Sequence, residues 1–160
     1  MAINWPALLT AIFICQAAGL IGAKVTRPAL KPWYRELKKP FFTPPDWLFA
    51  PAWITLYLLM AVAVYLIWMQ GLNTAGVKTA VVVFIIQLLL NSAWSFIFFG
   101  MKSPLYGLIE IVILWLSIAV CSVLFWQISI LAGWLMVPYL LWVSFAAVLN
   151  FAIWKLNPSR

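Results

Sequence analysis

The chain has 160 residues, of which 67% are hydrophobic and 8% charged, with ten Lys and Arg against three Asp and Glu and a formal charge of +7. A water-soluble domain carries roughly 25% charged residues to cover its surface, so a soluble globular fold is excluded and lipid is the expected solvent. Histidine is absent, which removes the usual general base and the commonest metal and haem ligand, and no metal site is expected.

Five apolar stretches approach the ~20 residues needed to cross a bilayer. They run approximately over 5–23, 47–70, 79–99, 104–126 and 131–154. The expectation is an all-α integral membrane protein: one five-transmembrane-helix bundle over 1–160. The first stretch lacks the basic start of a signal peptide and reads as a mature helix. It carries Cys15, which reads as a small buried hydrophobe, as does Cys121. Gly19, Gly22 and Ala23 near its end would let another helix or a flat ligand approach closely.

Residues 24–46 form the one long connection and read as a loop capping a ligand site. Pro28, Pro32, Pro40, Pro44 and Pro45 argue against a continuous helix there. The second stretch holds Trp53 and Tyr57. Near the start of the third, Ala75, Thr79 and Ala80 offer a weak small-residue surface for association. Within it Gln87, Asn91 and Ser95 are spaced i, i+4, i+8 with Trp94 beside them, so they share one face. That face bonds to other helices or touches a ligand. The fourth carries Glu110, an intramembrane carboxyl that marks function by default but lies only about two turns in, where it also suits headgroup water or a capping partner. The connections at 100–103 and 127–130 are tight and make their helices antiparallel neighbours. No internal repeat is visible, and no soluble effector domain is expected.

The long connection carries Lys24, Arg27, Lys31, Arg35, Lys38 and Lys39, and the same side receives Lys102, Lys155 and Arg160, against Lys78 alone on the other. The positive-inside rule therefore expects the first loop and the C-terminus in the cytoplasm, in a multi-pass protein whose membrane the sequence does not name. The same arrangement makes topology, not nucleic acid, the reason for the basic balance.

Six tryptophans lie near span ends as interfacial anchors: Trp5, Trp47, Trp68, Trp126, Trp134 and Trp154. Trp53, Trp94, Trp115 and Trp142 lie deeper, and each indole N–H should turn toward a protein partner or a ligand. Counted from the long-loop side at about 1.5 Å per residue, Trp53 lies roughly 10 Å deep, Tyr57 roughly 15 Å, Asn91 roughly 12 Å, and Trp142 and Ala146 roughly 12–18 Å. Aromatic and amide groups of three helices thus share a depth beneath the loop, the usual form of a small-molecule pocket.

The run WYRELKKPFFTPPDWLFAPAWITLY (33–57) resembles the first loop and second helix of the translocator protein family, whose bacterial members are called tryptophan-rich sensory proteins and animal ones the peripheral benzodiazepine receptor. The runs QLLLNSAWSFIFFG (87–100) and VPYLLWVSFAAVLNFAIW (137–154) resemble that family's third and fifth helices. The resemblance implies a five-helix bundle, commonly a homodimer, with a ligand cavity closed by the first loop. It implies binding of porphyrins such as protoporphyrin IX, of sterols, and of benzodiazepine-like and isoquinoline-carboxamide drugs. No cofactor is required; a porphyrin would be a ligand. The matching cavity positions are Gly22, Ala23, Tyr34, Trp53, Asn91, Trp94, Trp142 and Ala146. Light-dependent porphyrin degradation is ascribed to some members, and Trp53 and Trp142 match the tryptophans implicated, so they are the candidate catalytic residues.

Two departures stand out. Phe42 occupies the position where the family usually has Trp. The cholesterol motif of the fifth helix reads Leu149, Phe151, Lys155, without its central Tyr. The leading expectation is a membrane receptor or sensor for porphyrins, with sterol recognition weaker, and propionates meeting Lys38, Lys39 or Arg35. A light-dependent porphyrin-degrading enzyme and a porphyrin or sterol transporter are the alternatives. Product formation in light against darkness separates the first of these, and flux into liposomes the second.

Overall fold

The computed structural model describes residues 3–158, so Arg160 of the charge count lies outside the described residues. Five helices are long and apolar enough to cross a membrane, and no strand occurs among the described residues. Helix α1 spans Trp5–Ala29, α2 Asp46–Trp68, α3 Val77–Ser95, α4 Pro104–Ile128 and α5 Ile130–Leu156. A π-helical turn follows α1 at Leu30–Tyr34 and another follows α3 at Phe96–Gly100. Large apolar side chains cover the outside, among them Leu9, Phe13, Leu89 and Leu141. That surface is the one lipid solvates.

The helix starts follow from local chemistry. Asn4 caps α1 by accepting from the Ala7 N–H at 3.2 Å, with Pro6 in the first turn where no N–H is missed. Ser103 caps α4 through the Tyr106 N–H at 3.3 Å. Ser129 alone separates α4 from α5 and caps the latter through the Ala132 N–H, so the connection expected over 127–130 shrinks to one residue. Gly71 and Gly76, at φ of 88° and 83°, turn the chain between α2 and α3 in a conformation that L side chains rarely adopt.

The first connection differs most from its expectation. Prolines at 28 and 32 do not stop the helix: α1 passes through Pro28 to Ala29 and continues as the π turn to Tyr34. The Leu30 N–H still reaches the Thr26 carbonyl, and the Thr26 hydroxyl ties back to Gly22 at 3.0 Å. Pro28 removes one bond near the end of a helix, where a freed carbonyl meets polar surroundings, and the widened π turn takes up the misfit. The irregular loop is therefore 37–45, shorter than the 24–46 expected.

The helices close a ring in the order α1, α2, α5, α4, α3, with α3 returning to α1. The half remote from the first loop is filled. Met60, Ala61, Ala63, Ile67, Ala80, Ile118, Cys121, Phe125 and Met136 are buried there without measurable exposure, and Phe84 stacks on Phe125 at 5.8 Å. Ala80 belongs to this core, which removes it from the small-residue surface expected for association; Ala75 and Thr79 are exposed. Cys15 and Cys121 are buried free thiols.

A candidate ligand cavity beneath the first loop

The other half of the ring is hollow. A cavity of about 340 Å³ lies among α1, α2, α3, α4 and α5 under the first loop, within the range usual for small-molecule sites. All eight candidate positions line it: Gly22 and Ala23 of α1, Tyr34 of the first π turn, Trp53 of α2, Asn91 and Trp94 of α3, and Trp142 and Ala146 of α5. Both π turns contribute to the wall, through Leu30 and Tyr34 on one side and Phe98 and Phe99 on the other. Each aims side chains inward that a regular helix would have rotated away.

Two hydrogen-bond chains hold the wall. The Tyr57 hydroxyl donates to Asn91 Oδ1, and Asn91 Nδ2 donates to the Tyr139 hydroxyl at 2.8 Å. One buried amide thus joins α2, α3 and α5, and both of its polar atoms are engaged. Trp94 Nε1 donates to Asn150 Oδ1 at 3.3 Å, while Asn150 Nδ2 donates to the Pro104 carbonyl at 2.8 Å. Trp94 also stacks on Phe98 at 4.9 Å and 18°.

The deep tryptophans divide accordingly. Trp94 is bonded as above, and Trp115 donates to Ser144 at 2.7 Å, outside the cavity. Trp53 and Trp142 have ring contacts instead. They meet edge to face at 6.5 Å, Trp53 also touches Tyr57 and Tyr139, and Trp142 touches Phe49 and Phe145. Their indole N–H groups have no acceptor among the described residues. Both are half-buried and line the cavity.

Glycine makes this packing feasible. A Cβ on Gly19 would lie 2.4 Å from Tyr57 Cε2, and one on Gly22 would lie 2.9 Å from the Ser95 hydroxyl oxygen. The bare backbone of α1 therefore admits the ring that holds Asn91. The polar stripe of α3 splits: Asn91 and Ser95 line the cavity, whereas Gln87 is buried in the filled half with Nε2 4.0 Å from Met60 Sδ. Glu110 is buried on α4, outside the cavity, and its carboxyl oxygens have no hydrogen-bond partner among the described residues.

The loop end is sealed by a second apolar cluster. Trp33, Tyr34 and Leu37 pack with Phe98, Phe99, Leu149 and Ile153, and Phe42 contacts Phe145 at 6.3 Å in the position where Trp was expected. Lys39 Nζ sits 4.5 Å over the Tyr34 ring. Burial, with the Asp46 carboxylate as the smaller cause, pushes the Tyr34 phenol up to about 12, so it stays neutral at physiological pH. Lys38, Lys39 and Arg35 do not line the cavity; the charged side chains that do are Arg27 and Asp46. Sequence reading missed these two, and also Tyr139 and Asn150. The spacing 139, 142, 146, 150 on α5 follows one helix face and was the available signal for the latter pair.

The model of the TspO/MBR family matches residues 11–155. The chain belongs to that family. It is 45% identical to the tryptophan-rich protein TspO of Chlorobaculum tepidum over 94% of this chain and 96% of the relative. It is 37% identical to the tryptophan-rich sensory protein of Cereibacter sphaeroides over 100% and 97%. It is 34% identical to the translocator protein of Bos taurus over 100% and 95%. Family membership and five apolar helices make it a multi-pass membrane protein.

Proposed function

We propose that this protein is a membrane receptor that binds porphyrins, protoporphyrin IX in particular, in the cavity beneath the first loop. The observation that carries the reading is the pair Trp53 and Trp142. Two indoles from different helices line one cavity, in edge contact with each other, and neither N–H has an acceptor among the described residues. The two rings stand at 84° to each other, so a flat macrocycle stacks on one and meets the edge of the other, and it brings acceptors for their N–H groups. Elsewhere in the wall the Asn91 and Asn150 amides and the Trp94 N–H are engaged within the protein, and most of the remaining lining is apolar. Arg27 at the cavity's edge suits a propionate.

Sterols and benzodiazepine-like molecules are secondary occupants in this reading. The fifth-helix motif supports sterol weakly: Leu149 turns into the core, Phe151 turns outward, and Lys155 lies over Phe151 and Trp154. The basic asymmetry supports a cytoplasmic first loop and C-terminus, and a homodimer is what the family resemblance implies. Titration of the purified protein with protoporphyrin IX, followed by porphyrin absorbance and Trp quenching, tests the function. Saturable one-site binding is expected. Non-saturable partitioning indistinguishable from that into empty micelles would refute it.

A further inference from the structure

We infer that the cavity is filled from the bilayer, through a lateral seam between α1 and α2, by a ligand already dissolved in lipid. The inference rests on the cavity as a binding site but not on the identity of its occupant.

The two helices run antiparallel and are pinned at two levels. The Asn4 N–H donates to the Tyr65 hydroxyl at 3.0 Å, and Gln16 Nε2 donates to the Ile54 carbonyl at 3.2 Å. Beyond Gln16, toward the first loop, no hydrogen bond joins them among the described residues. The side chains flanking that stretch are Leu20 and Arg27 on α1 and Asp46, Ala50 and Ile54 on α2. All five line the cavity, and all five are exposed on the outside of the bundle, Leu20 by 69% and Ile54 by 54%. A residue that both lines a cavity and faces the surroundings marks an opening. Leu20, Ala50 and Ile54 belong to apolar membrane spans, so the middle of the seam faces hydrocarbon, with the charged pair Arg27 and Asp46 at its loop end.

The route from the water side is closed by contrast. Trp33, Tyr34 and Leu37 cover that end and are 8%, 6% and 4% exposed. Entry there requires unpacking a cluster that includes Phe98, Phe99, Leu149 and Ile153. The seam is flanked instead by the exposed Leu20 and Ile54 side chains and the small Ala50, none of them part of that cluster. A lipophilic ligand concentrates in the bilayer, so source and opening coincide.

The test uses the full chain in phosphatidylcholine vesicles with two probes. First, a lipid-dissolved aryl diazirine is photolysed, and labelling at Trp142, on α5 across the cavity, is read by mass spectrometry. The wild type should be labelled there; Ala50→Trp and Ile54→Trp should lower that labelling at least fivefold while leaving lipid-exposed Phe13 unchanged. Absence of wild-type labelling at Trp142 by the lipid probe, or labelling there by a water-soluble diazirine alone, overturns the inference. Second, protoporphyrin IX monoesterified with a hexadecyl chain should bind within about threefold of the free porphyrin, its chain trailing into lipid, while a polyethylene-glycol monoester should bind more than tenfold more weakly. The reverse order overturns the inference. Failure of free protoporphyrin IX to bind would sink the porphyrin reading alone, because the diazirine arm requires no porphyrin. Should either Trp variant fail to fold, the wild-type labelling still decides.

Discussion

The two halves of the bundle are built from the same five helices and differ in how their polar groups are used. In the filled half, small residues such as Ala61, Ala63 and Ala80 let the helices close on Met60, Ile118 and Phe125, all without measurable exposure. In the hollow half, π turns contribute to the wall and bare glycine backbone lets α1 close on Tyr57 and Ser95. Two amide side chains, Asn91 and Asn150, then bridge helices that apolar packing alone would not hold apart. Hydrocarbon solvent supplies no hydrophobic drive to collapse such a space, so packing and interhelical hydrogen bonds decide its shape. Stability should therefore reside in one half and ligand affinity in the other.

The sharpest way to break that division is a large-to-small change in the filled half. Met60→Ala removes a side chain with no exposure and should cost about 2–5 kcal/mol in unfolding free energy. Porphyrin affinity of the fraction that remains folded should be unchanged. Thermal unfolding in detergent, run beside a titration, checks both; an affinity loss at full folding would show the halves to be coupled. Gly19→Ala lies at the boundary. Its methyl collides with Tyr57 at 2.4 Å, so the ring must move and release Asn91. Overpacking of this kind costs about 1–3 kcal/mol. Here stability and affinity should fall together; a loss of stability at wild-type affinity would show that the boundary belongs to the filled half alone.

In the hollow half, Trp53→Phe and Trp142→Phe should leave the melting temperature nearly unchanged and weaken protoporphyrin IX about fivefold each, from aromatic contacts worth about 1 kcal/mol. The rings touch at 6.5 Å, so the double variant should lose less than the sum. Wild-type affinity in both single variants, with lowered thermal stability, would make these residues packing elements and remove the basis of the porphyrin reading. Illumination of the same samples against darkness reports whether either residue also supports porphyrin breakdown. Asn91→Ala should show the opposite balance. It leaves two buried hydroxyls without partners, a loss of about 1–3 kcal/mol in stability, with less effect on porphyrin than either Trp change.

How much of this was legible in the sequence follows the same physics. Helix number came from apolar length, and the depth of Trp53, Asn91, Trp94 and Trp142 from rise per residue alone, because a bilayer forces every span to cross it. The meeting of Trp53 with Trp142 was expected on depth, but the sequence did not say which deep indoles would find protein acceptors; Trp94 and Trp115 do so through Asn150 and Ser144. Those are tertiary pairings, invisible to periodicity. Proline was read as a helix stop, and the π turn at Leu30–Tyr34 overrode it. That turn brought Tyr34 to the cavity and left Lys38 and Lys39 away from it. The cationic lining residue was consequently misplaced by two turns or more.

That misplacement leads to the smallest effect. Arg27 lies on the last turn of α1 and lines the cavity while remaining exposed, as does Asp46 at the start of α2. Water and headgroups screen an exposed guanidinium, so its contribution to a bound propionate is modest. Arg27→Gln should weaken protoporphyrin IX about threefold and leave its dimethyl ester unaffected, since the ester offers no anion. Asp46→Asn should act in the other direction on the free acid by removing a nearby repulsive charge, and it too should leave the ester unchanged. Raising salt from low to physiological strength should shrink both differences, because these charges are solvated. Lys39→Gln is the control. Its ammonium sits over the Tyr34 ring and away from the cavity, so it should alter neither ligand. If Lys39→Gln weakens the free acid more than Arg27→Gln does, the anionic end of the ligand lies at the loop and not at the seam. The orientation of the macrocycle would then be reversed, with the apolar edge toward α1 and α2.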